Sequence, residues 1–150
     1  MATRSTISIL NNDGTVTAIY CHWDGYLEHH GLILSEYYQE REKVEELINN
    51  GDLSALRENI NPTKEHSFEK PQDDVCIYYH RDREEDWEST KPRNYNGLNE
   101  LWNDFENSDR EFLYIYIGND WYYTHWNDTR LALKHVKTKV KELEEKENAE

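Results

Sequence analysis

The chain twice sets a histidine and an aspartate two residues apart, as "HWD" at His22, Trp23 and Asp24 and as "HRD" at His80, Arg81 and Asp82. Each triplet closes a run of strand-forming residues, so both can reach one sheet edge. Imidazoles and carboxylates gathered there suit a divalent cation or general acid and base work, and a metal-dependent hydrolase built on His22, Asp24, His80 and Asp82 is one expectation. The spacing is weak support for it. Neither triplet has the HExxH pattern of a zinc helix, and "HRD" lacks the glycine-rich loop and DFG segment of a kinase. The adjacent His29 and His30 of "EHHG" read as solvent-exposed loop histidines, because sequence neighbours rarely point at one ion. With no GxSxG elbow, no phosphate loop and no catalytic cysteine signature, binding without turnover is the leading expectation, with no cofactor and no metal.

Around the first triplet, "IYCHWDGY" at 19–26 is the densest reactive stretch in the chain. Its structural reading has His22 hydrogen-bonded at a sheet edge, Trp23 packed in the core, and Asp24 with Gly25 making a turn in which Asp24 caps the backbone or pairs with Arg4. A packed Trp23 would lose about 3 kcal/mol or more on truncation to alanine. Its binding reading groups Arg4, His22, Trp23, Asp24 and Tyr26 into one patch. The companion patch is His80, Arg81, Asp82, Glu84, Glu85, Asp86 and Trp87.

Thirty-one acidic residues against 17 basic ones leave a formal charge of −14. That charge excludes general binding to nucleic-acid backbones, which runs on Lys and Arg, and favours a partner with a basic surface. Eleven Tyr and 5 Trp require a core of large rings whose hydroxyls and indole N–H groups need partners. Tyr78, Tyr79, Tyr114, Tyr116, Trp121, Tyr122, Tyr123 and Trp126 either all enter a core covered on both faces or leave some rings outside it. Cys21 and Cys76 are far apart and outside any CxxC pattern, so reduced thiols are expected. No window approaches the roughly 20 apolar residues of a membrane span, and no membrane partner is expected.

The elements that would position these residues follow from periodicity. "ISIL" and "TVTAIYCHW" flank "NNDG" as a hairpin; a loop of Asn11 to Gly14 sets Ile9 opposite Val16, Ile7 opposite Ala18 and Ser5 opposite Tyr20, with Arg4 facing Cys21. A helix is expected from an N-cap at Ser35, with Tyr37, Val44, Leu47 and Ile48 on its stripe and "GDLSALRENI" adding a turn or two. "DVCIYYH" is a strand, "RDREEDWESTKPRNYN" an exposed excursion, and "GLNELWNDF" a short helix through Leu98, Leu101, Trp102 and Phe105. "EFLYIYIGNDWYYTHW" is a hairpin, and a last helix capped by Asp128 carries Ala132 or Leu133, Val136, Val140 and Leu143. The expectation is one α+β domain over 1–143, with a mainly antiparallel sheet of about five strands, two longer helices and one short one, and a frayed acidic tail at 144–150.

The segments "ATRSTISILNNDGTVTAIYCHWDGYLEHHGLIL" and "YYQEREKVEELINNGDLSAL" resemble a family of small bacteriophage and prophage proteins. That family opens on T-R-S-T-I, carries D-G before an I-Y-C-H-W-D-G-Y core, and has G-D-[IL]-S-x-L after its first helix. The likeness covers residues 1–57 and the "VCIYYHRD" stretch. The family carries no assigned activity, so no catalytic residue transfers. The resemblance implies a small accessory protein of the bacterial host cytoplasm that binds and inhibits a host or antiviral-defence protein through an acidic, aromatic-rich surface. Capture of a small nucleotide signal by Arg4, His22, Trp23 and the aromatic strands is the alternative.

Overall fold

The computed structural model describes residues 2–127 and 134–148. β1 (Ser5–Leu10) and β2 (Val16–Cys21) form the expected hairpin in a different register: Leu10 faces Val16, Ile9 faces Thr17 and Ile7 faces Ile19. The Asn11 N–H still bonds the Thr15 carbonyl at 2.8 Å, which leaves Asn12, Asp13 and Gly14 as a three-residue loop with Gly14 left-handed at φ +88°. Asp13 Oδ1 accepts the Thr15 hydroxyl and N–H, fixing that loop. A slip of one residue exchanges faces. Val16 and Ala18 therefore leave the side of Ile7 and Ile9, and the reverse face of the hairpin carries a second apolar layer.

Six further strands complete the sheet: β3 (Leu53–Ala55), β4 (Ile77–Tyr78), β5 (Arg93–Tyr95), β6 (Phe112–Ile117), β7 (Asp120–His125) and β8 (Lys134–His135). The order is β4-β3-β2-β1-β6-β7-β8, with β5 also paired to β2. The α+β class holds, but among the described residues the sheet has eight strands and is mixed, because β1 pairs with β6 and β2 with β3 in parallel. The additional strands β3, β5 and β8 have two or three residues each, too short to show an alternation, and the strand expected from "DVCIYYH" is reduced to Ile77–Tyr78. β3 lies where helical turns were expected, and β5 lies inside the supposed excursion. Where the edge of β2 passes from β5 to β3, the Tyr20 N–H would lack a ladder partner; Asp52 Oδ1 accepts it at 2.9 Å while Arg93 grips both oxygens of the same carboxylate. The β6–β7 turn is Gly118–Asn119, with Gly118 at φ +66°, as a two-residue hairpin requires.

The helix expected from Ser35 is two helices, α1 (Leu32–Tyr37) and α2 (Arg41–Asn49), and Ser35 is buried within the first. The break turns Tyr38 inward and leaves Tyr37 outside. Its freed carbonyls are taken by buried rings: Trp121 Nε1 donates to the Tyr38 oxygen at 2.9 Å, and the Tyr116 hydroxyl to the Gln39 oxygen at 2.7 Å. Val44, Leu47 and Ile48 are buried as expected. α3 (Trp87–Thr90) is a single turn capped by Asp86, whose Oδ2 accepts the Ser89 N–H. α4 (Leu98–Glu106) matches its sequence stripe through Leu101, Trp102 and Phe105; α5 (Val136–Asn148) carries Val136 and Val140 as expected but starts only at Val136, because Lys134 and His135, expected inside the helix, form β8 against β7. The expected cap Asp128, with Ala132 and Leu133, lies outside the described residues.

Both faces of the sheet are thus covered. α1, α2 and α5 close the face bearing Ile7, Ile9, Ile19, Tyr114 and Tyr123, and α4 closes the face bearing Val16, Ala18, Leu113 and Ile115. Leu47→Ala and Leu101→Ala should each cost about 2 to 5 kcal/mol in urea unfolding, one for each layer. A loss below about 1 kcal/mol for Leu101→Ala would mean that the α4 face is not a packed core.

Candidate functional site

After Cys21 the first strand pair ends in a corner that the backbone itself defines. His22 and Trp23 donate their N–H groups to the Leu53 and Ser54 carbonyls, both at 3.1 Å, and Asp24 then turns left-handed at φ +60°. Gly25 donates to the Thr3 carbonyl at 2.9 Å and accepts the buried Tyr114 hydroxyl at 2.7 Å. A methyl group at Gly25 would lie 2.8 Å from both Ser5 Cβ and the Thr3 oxygen, so only glycine lets the corner close on β1. The chain leaves through a π-helical turn, Leu27–Gly31.

That turn overturns the reading of the two histidines as exposed loop residues: His30 is fully buried, against Tyr114, and His29 is half-buried. Their Nδ1 atoms are 3.2 Å apart, and His30 Nε2 has no hydrogen-bond partner among the described residues. Burial pushes His30 down to about 3 and lowers His29 as well, each with a smaller charge contribution from its surroundings.

The side chains of "HWDGY" are placed differently from the structural reading. Trp23 is 46% exposed and Tyr26 39% exposed. Arg4 pairs with Asp109 at 3.4 Å, instead of with Asp24. His22 does hold the sheet edge, with Nδ1 2.6 Å from the Tyr20 hydroxyl and its ring edge-on to Trp23. Its pKa is lowered, first by burial and then by the Arg4 charge.

The second triplet organises a loop. Arg81 donates to the Ile60 and Cys76 carbonyls at 2.6 and 2.9 Å, grips Asp82, and lies over the Tyr78 ring. Asp82 accepts the Tyr78 N–H at 2.8 Å. His66 accepts the Gln72 N–H through Nδ1, so its proton belongs on Nε2, which faces Asp82 Oδ2 at 3.3 Å without hydrogen-bond alignment. His80 is exposed, holding the Glu85 carbonyl and packing edge-on to Trp87, with Glu84 left-handed at φ +62° between them. His22 and Asp24 thus belong to one organised loop and His80 and Asp82 to another. Among the described residues no three His, Cys, Asp or Glu side chains are placed to hold a metal ion. Cys21 and Cys76 are buried and free, and burial pushes both thiols up, away from nucleophilic use.

One position beyond the strand ladder, on the α4 side, a row of side chains crosses the end of the sheet. Arg4 accepts the Glu111 N–H through its carbonyl, and Trp126 donates to the Glu111 carbonyl, both at 2.8 Å; the β1–β2 register places His22 on the other side of Arg4. The far part of this row opens into a cleft of about 430 Å³ between the end of α4 and β7, lined by Trp102, Phe105, Glu106, Arg110, Glu111 and Trp126 among others. Trp126 is 61% exposed, whereas Tyr78, Tyr114, Tyr116, Trp121 and Tyr123 are buried. Sequence reasoning missed this cleft because its walls come from separate segments: the end of α4, the connection at 108–111 and the end of β7 with Trp126. The only local signal was carboxylates next to rings in "WNDFENSDRE". Comparison with known proteins finds no matching family model, no matching curated protein and no matching solved structure.

Gly25→Ala should lower stability by about 2 kcal/mol or more, since the methyl group meets backbone and a strand Cβ, whereas Trp23→Ala should cost under about 1 kcal/mol. Chemical denaturation of both variants checks the contrast. His30 is depressed in the folded state from an ordinary 6.5 to about 3. Its neutral burial therefore contributes stability that is fully present above pH 6.5 and lost as pH falls toward 3. His22 and His29 act in the same direction. Urea midpoints measured from about pH 7 down to pH 4 should fall, and fall less steeply in His30→Gln.

Proposed function

We propose that this chain works by binding, without turnover, and that its target is a protein presenting a basic surface. The observation that carries this reading is a pairing of two facts. Large rings stand outside the core beside carboxylates, namely Trp23, Tyr26, Trp87 and Trp126, and every arginine among the described residues is already engaged. Arg4, Arg41, Arg81, Arg83, Arg93 and Arg110 meet carboxylates, and Arg57 donates to the Asp73 carbonyl. Exposed aromatics are the anchors of protein interfaces, while a surplus of negative charge steers a basic partner to them.

Capture of a nucleotide signal is the second reading, supported by Arg4, His22 and Trp23 lying at one sheet end. It is disfavoured because a phosphate would have to displace Asp109 from Arg4 and enter against a charge of −14. The phage-protein resemblance gives the binding reading its setting: an accessory protein of the bacterial host cytoplasm that occupies a basic face of a host or antiviral-defence protein and so inhibits it. No helix among the described residues is long and apolar enough to cross a membrane.

The test is affinity capture from bacterial lysate at about 0.05 and 0.5 M salt, beside mass spectrometry of small molecules carried by the purified protein. The expected result is a captured protein with a basic surface, released by high salt. Glu84→Lys, Glu85→Lys and Asp86→Lys together should slow its association and flatten the salt dependence, and Trp87→Ala should mainly speed its dissociation. A co-purifying nucleotide, with no salt-sensitive protein partner, would replace this reading with the second one.

A further inference from the structure

The cleft at the end of α4 offers more than negative charge in general. Its floor is Trp102 and Phe105, both almost fully buried, and its outer wall is the exposed Trp126 ring. Three carboxylates reach it, Glu106, Asp109 and Glu111, against one guanidinium, Arg110. The internal pairs take out two of these charges. Asp109 is held by Arg4, and Arg110 is turned to Asp104 at 3.2 Å with its guanidinium over Tyr20.

Glu106 and Glu111 are what remain. Glu106 accepts the Trp102 indole N–H, which fixes one carboxylate against the floor. Glu111 has no ion pair with a cation among the described residues, and the backbone N–H of Trp126 bonded to its carbonyl sets the two residues opposite each other at the strand ends. Glu106 is also the last residue of α4, so the carbonyl end of that helix adds partial negative charge at the mouth.

A carboxylate pair above an apolar floor and beside an exposed indole is complementary to one chemical group: a cation on an alkyl stem. The stem packs on the rings, the head meets Glu111 and Glu106, and the indole face adds cation–π attraction. Phosphate or carboxylate ligands would meet the same two carboxylates as repulsion. Resting on the binding reading above, we propose that this cleft is the anchoring pocket for a lysine or arginine side chain of the basic partner protein. The partner's other basic residues meet the dispersed acidic surface, which sets the encounter rate, while the cleft holds a single side chain and sets the lifetime of the complex.

A capped tetra-arginine peptide is the probe, titrated at about 0.05 M salt into ¹⁵N-labelled protein whose five indole N–H signals report separately. The Trp126 and Trp102 signals should move most, and those of Trp23 and Trp87 little. Glu111→Gln and Trp126→Ala should each weaken binding about tenfold while leaving the melting temperature unchanged, since Trp126 is exposed and the glutamine keeps the size of Glu111. Peptide binding that is unaffected by both substitutions and maps to Trp23 or Trp87 overturns the pocket assignment while the general acidic-surface reading stands. No binding of tetra-arginine at low salt overturns both. A Trp126 shift produced by a tetra-glutamate peptide, or by raising protein concentration alone, would reassign the cleft to an anion or to a second copy of the chain and overturn the proposal.

Discussion

The parallel pairing of β1 with β6 is the contact on which the remaining architecture depends. It sets two antiparallel hairpins side by side, Ser5 against Phe112 through Ile9 against Tyr116, and so builds one continuous central sheet from segments 107 residues apart in sequence. A parallel pair cannot be closed by a tight turn; it needs a crossover. Everything from α1 to α4 lies in that crossover, and it is laid over both faces, α1 and α2 on one and α4 on the other. β1 is consequently buried from both sides, which is why its hydroxyl residues Ser5, Thr6 and Ser8 are as inaccessible as Ile7.

A crossover with so much irregular backbone leaves carbonyl groups without ladder partners, and burying them unpaired would be costly. The tyrosines and a tryptophan supply the missing donors. Tyr38 donates to the Arg57 carbonyl, Tyr78 to Leu47, Tyr114 to Gly25, Tyr116 to Gln39 and Trp121 to Tyr38. Each ring fills core volume and satisfies a break in regular structure at the same time. These five rings answer the short strands and the broken helix, and, being buried in that role, they are unavailable for binding.

This division explains what could be read from the sequence. Long periodic segments were legible: the two hairpins, the stripe of Val44, Leu47 and Ile48, α4 and the run of Val136 and Val140 all stand where the pattern placed them. The α+β class followed from them. Strands of two or three residues have no period, and the pairing of β1 to β6 leaves no local mark, so the mixed sheet was not legible. The hairpin register depended on whether Thr15 belonged to loop or ladder, a one-residue ambiguity decided by the Asp13 side chain bonding Thr15 and by the left-handed Gly14. In the site, the stretch "IYCHWDGY" coincides with the backbone corner at Asp24 and Gly25. Yet the residue that governs its geometry is Gly25, and the ring that looked most like core, Trp23, is outside.

The cleft follows from the same central pairing. Because β1 and β6 run parallel, their leading ends emerge together, and Arg4 and Glu111 become neighbours although neither lies inside a strand. The antiparallel partner β7 delivers Trp126 beside Glu111, and the loop after α4 delivers Asp109 to Arg4. The Arg4–Asp109 pair is partly solvent-exposed and contributes little stability. Its consequence is local and electrostatic: Arg4 is spent on Asp109, and Glu111, opposite Trp126 at the strand ends, is left without a cation partner among the described residues. Removing Arg4 would therefore do less to the fold than to the cleft, because Asp109 would add a third uncompensated carboxylate at the mouth and draw a cation in more strongly.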